Sequence, residues 1–174
     1  MADGTPATCP GCGFCWDATP PGAVPAGVAE AADGIVSILR SVGDRAEVRP
    51  EPACWSVLEY AGHVRDVLLA VRERLVMGTL LDGYESQPIL RDARIDAGFA
   101  RLDTPEVVAA ELTVAAGLLG RTVDCLPPGA TERRMGYAFL GPDPVPLRWV
   151  AAQGLHEARH HLDDVRAVAA AVGS

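Results

Sequence analysis

Trp55-Ser56-Val57-Leu58-Glu59-Tyr60-Ala61-Gly62-His63 is the stretch on which the reading of the fold turns. Ser56 can cap a helix by accepting from the backbone three residues on, and Glu59, at that third position, can close the reciprocal capping box. The prolines of Arg49-Pro50-Glu51-Pro52 keep the preceding chain out of a helix. Downstream, Val57, Ala61, Val64, Leu68, Val71 and Leu75 recur every three to four residues and so line one face of a helix. That helix is predicted to run to about Met77, with Gly78 as its stop.

Working outward, Val28, Ala31, Ile35, Ile38, Leu39 and Val42 repeat with helical period and predict an earlier helix over 28–41. Thr104-Pro105-Glu106 pairs a cap with proline at the first helical position and opens a third helix that ends before Pro127-Pro128-Gly129. A fourth helix is predicted over 147–172. Residues 79–103 show no sustained period and read as a long crossover with at most a short helical turn, and residues 130–146 read as a loop. Four helices and one long crossover predict an all-α four-helix bundle. Residues 28–174 form that bundle in this reading, and residues 1–27 are a Cys-rich appendage and a Pro/Gly linker.

Composition narrows the function. The chain has 174 residues, enough for one domain with a substantial core. Its net charge is −8, and its 15 basic residues, all Arg, are scattered among acidic ones, so nucleic acid is excluded as an expected partner. No apolar run is read as long enough to cross a membrane, and residues 1–17 lack the basic start and apolar core of a signal peptide. A cytoplasmic protein is expected. Five cysteines without an export signal point to metal binding or thiol chemistry in preference to a disulfide framework.

Three of the four histidines lie in Leu155-His156-Glu157-Ala158-Arg159-His160-His161-Leu162. Residues four apart stand one turn above each other, so His156 and His160 can present ring nitrogens to one ion. On a helical wheel they fall opposite the apolar centre of their helix and are expected away from its packed face, whereas His161 lies nearer that face. His63, on the capped helix, supplies a third nitrogen. Three ligands leave a position for water or substrate, the arrangement of an open, catalytic-type site.

With Trp55-Ser56-x-x-Glu59-x-x-x-His63, Arg65-Asp66 and His156-x-x-x-His160-His161, the chain resembles the DinB-like superfamily, which includes mycothiol-dependent maleylpyruvate isomerases and bacillithiol transferases. The resemblance covers residues 28–172 in element order and implies a four-helix bundle holding a divalent metal, zinc or nickel, on three histidines. His63, His156 and His160 match those ligands. It also implies thiol-linked chemistry, with a small thiol and an electrophilic small molecule as partners, and pairing as a homodimer. Asp66, one turn after His63, and Tyr137 with Arg133 and Arg134, before the last helix, are the further residues expected to orient a proton or line the site.

The resemblance leaves Cys9-Pro10-Gly11-Cys12-Gly13-Phe14-Cys15 unexplained. Cys9 and Cys12 have the spacing of a zinc knuckle, which is half of a structural site. Cys15 and His161 are the expected third and fourth ligands of a second zinc. A reversible Cys9/Cys12 disulfide, and a tail that lends a thiolate to the main site, remain open alongside it. Cys54 and Cys125 read as small buried residues. The reaction expected is thiol S-transfer or isomerisation. A non-enzymatic metal- or redox-responsive protein is the alternative, and metal-dependent hydrolysis ranks last because no general base stands out.

Overall fold

Capping fixes where the long helices begin. In the computed structural model, which describes residues 7–137 and 140–173, Ser56 and Glu59 form the full box. The Glu59 N–H donates to Ser56 Oγ at 3.2 Å, and the Ser56 N–H donates to the Glu59 carboxylate at 2.8 Å. Arg49 grips the same carboxylate at 2.8 and 2.6 Å, which joins the Pro-rich approach to the helix it precedes. Thr104 caps the Val107 N–H at 3.3 Å, with Pro105 in the first turn. The first six residues, part of the basis for expecting no leader peptide, lie outside the described residues.

Among the described residues five α-helices result: α1 (Val24–Val42), α2 (Val57–Leu80), the short α3 (Arg91–Asp96), α4 (Pro105–Asp124) and α5 (Leu147–Gly173). The four long ones form the bundle. Helices α1 and α2 each pack against both α4 and α5, so helices consecutive in sequence, α1 with α2 and α4 with α5, occupy opposite corners. Ile35, Leu39, Leu68, Leu75, Leu112, Leu119, Leu147 and Leu155 fill the centre and are almost wholly buried. At about 25 cal/mol per Å² of apolar surface, each such leucine adds roughly 1.5–3 kcal/mol relative to exposure.

Several expectations are corrected. Helix α1 starts at Val24, before residue 28, because Pro25 sits in its first turn, where proline is tolerated. By length and composition the Pro21–Glu47 stretch would suffice to cross a membrane, contrary to the sequence expectation, yet Val28, Ile35 and Leu39 on it are buried in the bundle. Helix α2 passes through Gly78 to Leu80: a Cβ there would stand 2.7 Å from Leu147 Cδ2, so the glycine serves close packing. Cys54 is half-buried, packed against the core just before α2, and Cys125 is exposed at the end of α4.

The all-α expectation also gains a small sheet, in the order β1-β2-β3. Strand β1 (Glu85–Ser86) runs parallel to β2 (Arg134–Tyr137), with Glu85 opposite Gly136, and β2 is antiparallel to β3 (Val145–Pro146). Strands of two to four residues leave too short an alternation to read in a sequence. The sheet ties the crossover to the segment before α5 and buries Tyr137 against the bundle. The appendage also packs inward: Cys9 and Trp16 belong to the same buried cluster as the helices.

Candidate metal centre

Helix α5 carries two interleaved i,i+4 pairs: His156/His160, and Glu157/His161 one residue later. One residue turns a helix by about 100°, so the two pairs look in different directions. Among the described residues the structure draws them into separate groups. Cys9, Cys12, His156 and His160 bring four ligand atoms within 4.8 Å of one another, and His63, Glu157 and His161 do the same with three. The expected set of His63, His156 and His160 is therefore not the one the geometry assembles. His63 approaches α5 from the bundle side, where Glu157 and His161 face it.

The three-residue group is buried and charge-matched. Glu157 Oε2 lies 3.3 Å from His161 Nε2 and 3.8 Å from His63 Nε2, and its Oε1 lies 3.7 Å from His156 Nδ1. Burial alone would raise the Glu157 pKa. The surrounding His156, His161 and His63 rings more than reverse this and hold the carboxyl far below the usual range. On the far side of His161, Nδ1 meets Asp164 Oδ2 at 2.7 Å. Burial opposes charge on His161, but Asp164 and Glu157 together push its pKa up to about 9.

Nδ1 donates to Asp164, so Nε2 is the nitrogen that faces Glu157 and His63 and would give up its proton to an ion, the carboxylate–histidine geometry that orients metal ligands. Nε2 of His63 is buried without a hydrogen-bond partner, an orphan that typically costs about 1–3 kcal/mol. Two imidazole nitrogens and a carboxylate oxygen are a donor set suited to zinc and related divalent ions. The residues present thus fit a metal. A third group, His160, His161 and Asp164, is more open, and its carboxylate is already engaged by His161.

His63 and Glu157 also line a cavity of about 520 Å³. Its walls mix apolar Val67, Pro88, Ile89 and Leu90 with Arg74, Arg91, Tyr137 and Gln153. Arg74 is buried and donates to Tyr137 Oη at 2.8 Å and to the Gln87 carbonyl at 2.7 Å. Burial pushes the Tyr137 pKa up to about 12 despite the Arg74 charge, so the phenol stays protonated. Leu90 holds φ 50°, a left-handed conformation uncommon for leucine, at the start of α3 where the chain folds over the cavity.

The remaining sequence-predicted residues fall as follows. Tyr137 lines the cavity from β2, where a loop was expected. Asp66 faces a neighbouring smaller cleft and is bound by Arg65 at 2.9 Å and Arg94 at 3.2 Å. Arg133 points away to Asp82 at 2.6 Å, and Arg134 does not border the cavity. His156 is buried, contrary to the wheel reading, because Phe14 and Trp16 cover it with ring centroids at 5.3 and 4.6 Å. Cys15 and His161 are outside the cysteine group, because His161 faces the bundle while the knuckle covers the adjacent face of α5. Arg74, Gln153 and Glu157 were missed. For Glu157 a signal existed: it stands four residues before His161, the spacing already weighed for His156 and His160.

A family model described as the DinB superfamily matches residues 33–165. The chain belongs to the DinB superfamily. Among solved structures, "YfiT from Bacillus subtilis is a probable metal-dependent hydrolase with an unusual four-helix bundle topology" aligns with TM-score 0.70 over 86% of this chain and 87% of that one, at 12% identity. At that identity the likeness extends to the fold. No curated protein sequence matches the chain.

Proposed function

We propose that the protein is a metal-dependent enzyme that joins a low-molecular-weight thiol to an electrophilic small molecule. The observation that carries this reading is that His63 and Glu157, two of three convergent ligands, form part of the wall of a 520 Å³ cavity. A three-ligand group that borders a cavity is the pattern of a site that works on what enters it. His63, Glu157 and His161 would hold the ion. A divalent ion bound there supplies Lewis acidity, which lowers the pKa of a thiol and makes thiolate available near neutral pH.

The chain's own groups do the rest. Asp164 holds the His161 ring so that Nε2 faces inward. Arg74 and Arg91 give the cavity a cationic side suited to a substrate carboxylate, while Val67, Ile89 and Leu90 exclude water from its apolar part. Tyr137, protonated at neutral pH, can donate a hydrogen bond to negative charge developing on the substrate.

Hydrolysis is the second reading, favoured by the description of YfiT as a probable metal-dependent hydrolase. The cavity's carboxylates weigh against it: Glu157 belongs to the ligand set and Asp92 is mostly exposed on the rim. The test incubates zinc-loaded protein with mycothiol, bacillithiol or glutathione and monochlorobimane, beside ester and amide substrates without thiol. Metal-dependent conjugation abolished in His63→Ala supports the proposal. Thiol-independent hydrolysis with no conjugation would replace it with the second reading, and no turnover in either arm would favour a non-enzymatic role.

A further inference from the structure

The knuckle and the His156/His160 pair supply no ligand to the bundle site, yet they meet in a constellation of their own. We infer that Cys9, Cys12, His156 and His160 form a second, closed zinc site that clamps the N-terminal hairpin onto α5. The four ligand atoms already lie within 4.8 Å of one another. A tetrahedral zinc with bonds of about 2.3 Å to sulfur and 2.0–2.1 Å to nitrogen places its ligand atoms roughly 3.3–3.8 Å apart. Cys9 Sγ stands 3.9 Å from His160 Nδ1, so small side-chain adjustments close the site.

A second observation points to a ligand independently. Both ring nitrogens of His156 are buried without a hydrogen-bond partner, although the residue is only 8% exposed. The hairpin that covers it is built for the task. Cys9 and Gly13 close a turn through a 2.8 Å backbone bond, Gly13 takes φ 72°, and Thr8 pairs with Cys15 across the base. Gly11 sits so close to His160 that a Cβ there would meet its Cε1 at 3.2 Å. Two thiolates and two imidazoles fill a tetrahedron, which leaves no position for substrate and makes the site structural.

The clamp also reaches the first site. It seats Trp16, whose Nε1 donates to Gln153 Oε1 at 2.8 Å, and Gln153 Nε2 donates to Glu157 Oε1 at 2.6 Å. The hairpin thereby positions a carboxylate of the bundle site. That last step rests on the function proposed above; the clamp itself does not.

X-ray absorption of the zinc-loaded full chain tests the clamp without any variant, because the bundle ligands carry no sulfur. Averaged over the two zincs, scattering from about one sulfur per zinc at about 2.3 Å together with nitrogen or oxygen at about 2.0 Å is expected. A spectrum of nitrogen and oxygen alone would overturn the clamp and leave the bundle site standing. In cobalt-loaded protein the thiolate charge-transfer absorption should persist in His63→Ala and fall to about half or less in Cys12→Ser. Loss in His63→Ala, or an undiminished band in Cys12→Ser, would refute the ligand assignment. Gln153→Leu should keep the sulfur signal and weaken zinc at the bundle site about tenfold; an unchanged dissociation constant for the bundle site would refute the positioning step.

Discussion

Asp164→Asn probes the bundle site through a residue outside its ligand set. In the wild type, His161 must shed a proton before Nε2 can bind an ion, and its pKa of about 9 makes this costly at neutral pH. Two pH units separate 9 from 7, so proton competition weakens zinc at this site roughly 100-fold at pH 7 relative to its affinity above pH 9. Burial opposes that rise, and among the groups that drive it Asp164 acts most strongly, across a 2.7 Å contact. Substitution by Asn lowers the pKa and relieves the competition. It also replaces a charge-assisted hydrogen bond with a neutral one of about half the strength, which loosens the ring and costs about tenfold in intrinsic affinity, or about 1.4 kcal/mol. The two effects oppose each other at pH 7 and only the second survives above pH 9. Zinc competition against a calibrated chelator, run across pH 6.5–9.5, should give a flatter pH dependence in Asp164→Asn, with wild type about tenfold tighter at the alkaline end. Parallel curves of equal affinity would refute the orienting role of Asp164 and the assignment of His161 as a ligand.

Three further outcomes follow from the same geometry. Gly154→Ala places a Cβ 2.9 Å from Leu119 Cδ2 and 3.2 Å from Val71 Cγ1, and overpacking there should cost about 1–3 kcal/mol, read as a lower urea midpoint at unchanged slope. Ser56→Ala removes the cap of α2 and should cost about 1 kcal/mol by the same measurement, although it touches nothing in the site. In chelated, metal-free protein the folded pKa of His161 is raised from 6.5 to about 9, so its contribution is fully present below pH 6.5 and lost as pH rises through 9. Stability should fall across that window, by at most about 3 kcal/mol from this group, and His161→Gln should flatten the decline.

The fold was legible wherever local chemistry decides it. Ser56 with Glu59, and Thr104 with Pro105, mark helix starts because a cap is a contact between residues three apart. Leu147 was the expected start of the last helix and is its observed first residue. Gly78 shows the limit: its stop signal is real chemistry, but the side chain of Leu147, distant in sequence, turns the position into a close-packing point within α2. The small sheet was invisible because its strands are too short to show alternation and β1 finds its partner β2 some 50 residues on.

The site was half legible. His63 and the histidine-rich run on α5 were found, but a helical wheel describes only its own helix and cannot say which neighbour approaches which face. Two pairs with identical spacing, offset by one residue, were therefore indistinguishable by periodicity. What decides between them is the hairpin of residues 9–15, which lands on the His156/His160 face and leaves Glu157 and His161 to α2. The same landing buries His156, which its position opposite the apolar stripe had marked as free of packing.

The most direct test is a zinc-soaked crystal examined by anomalous scattering at the zinc edge. A peak is predicted within bonding distance of His63 Nε2, the Glu157 carboxylate and His161 Nε2, at the wall of the cavity. A peak shared by His63, His156 and His160, or none between α2 and α5, would contradict the assignment.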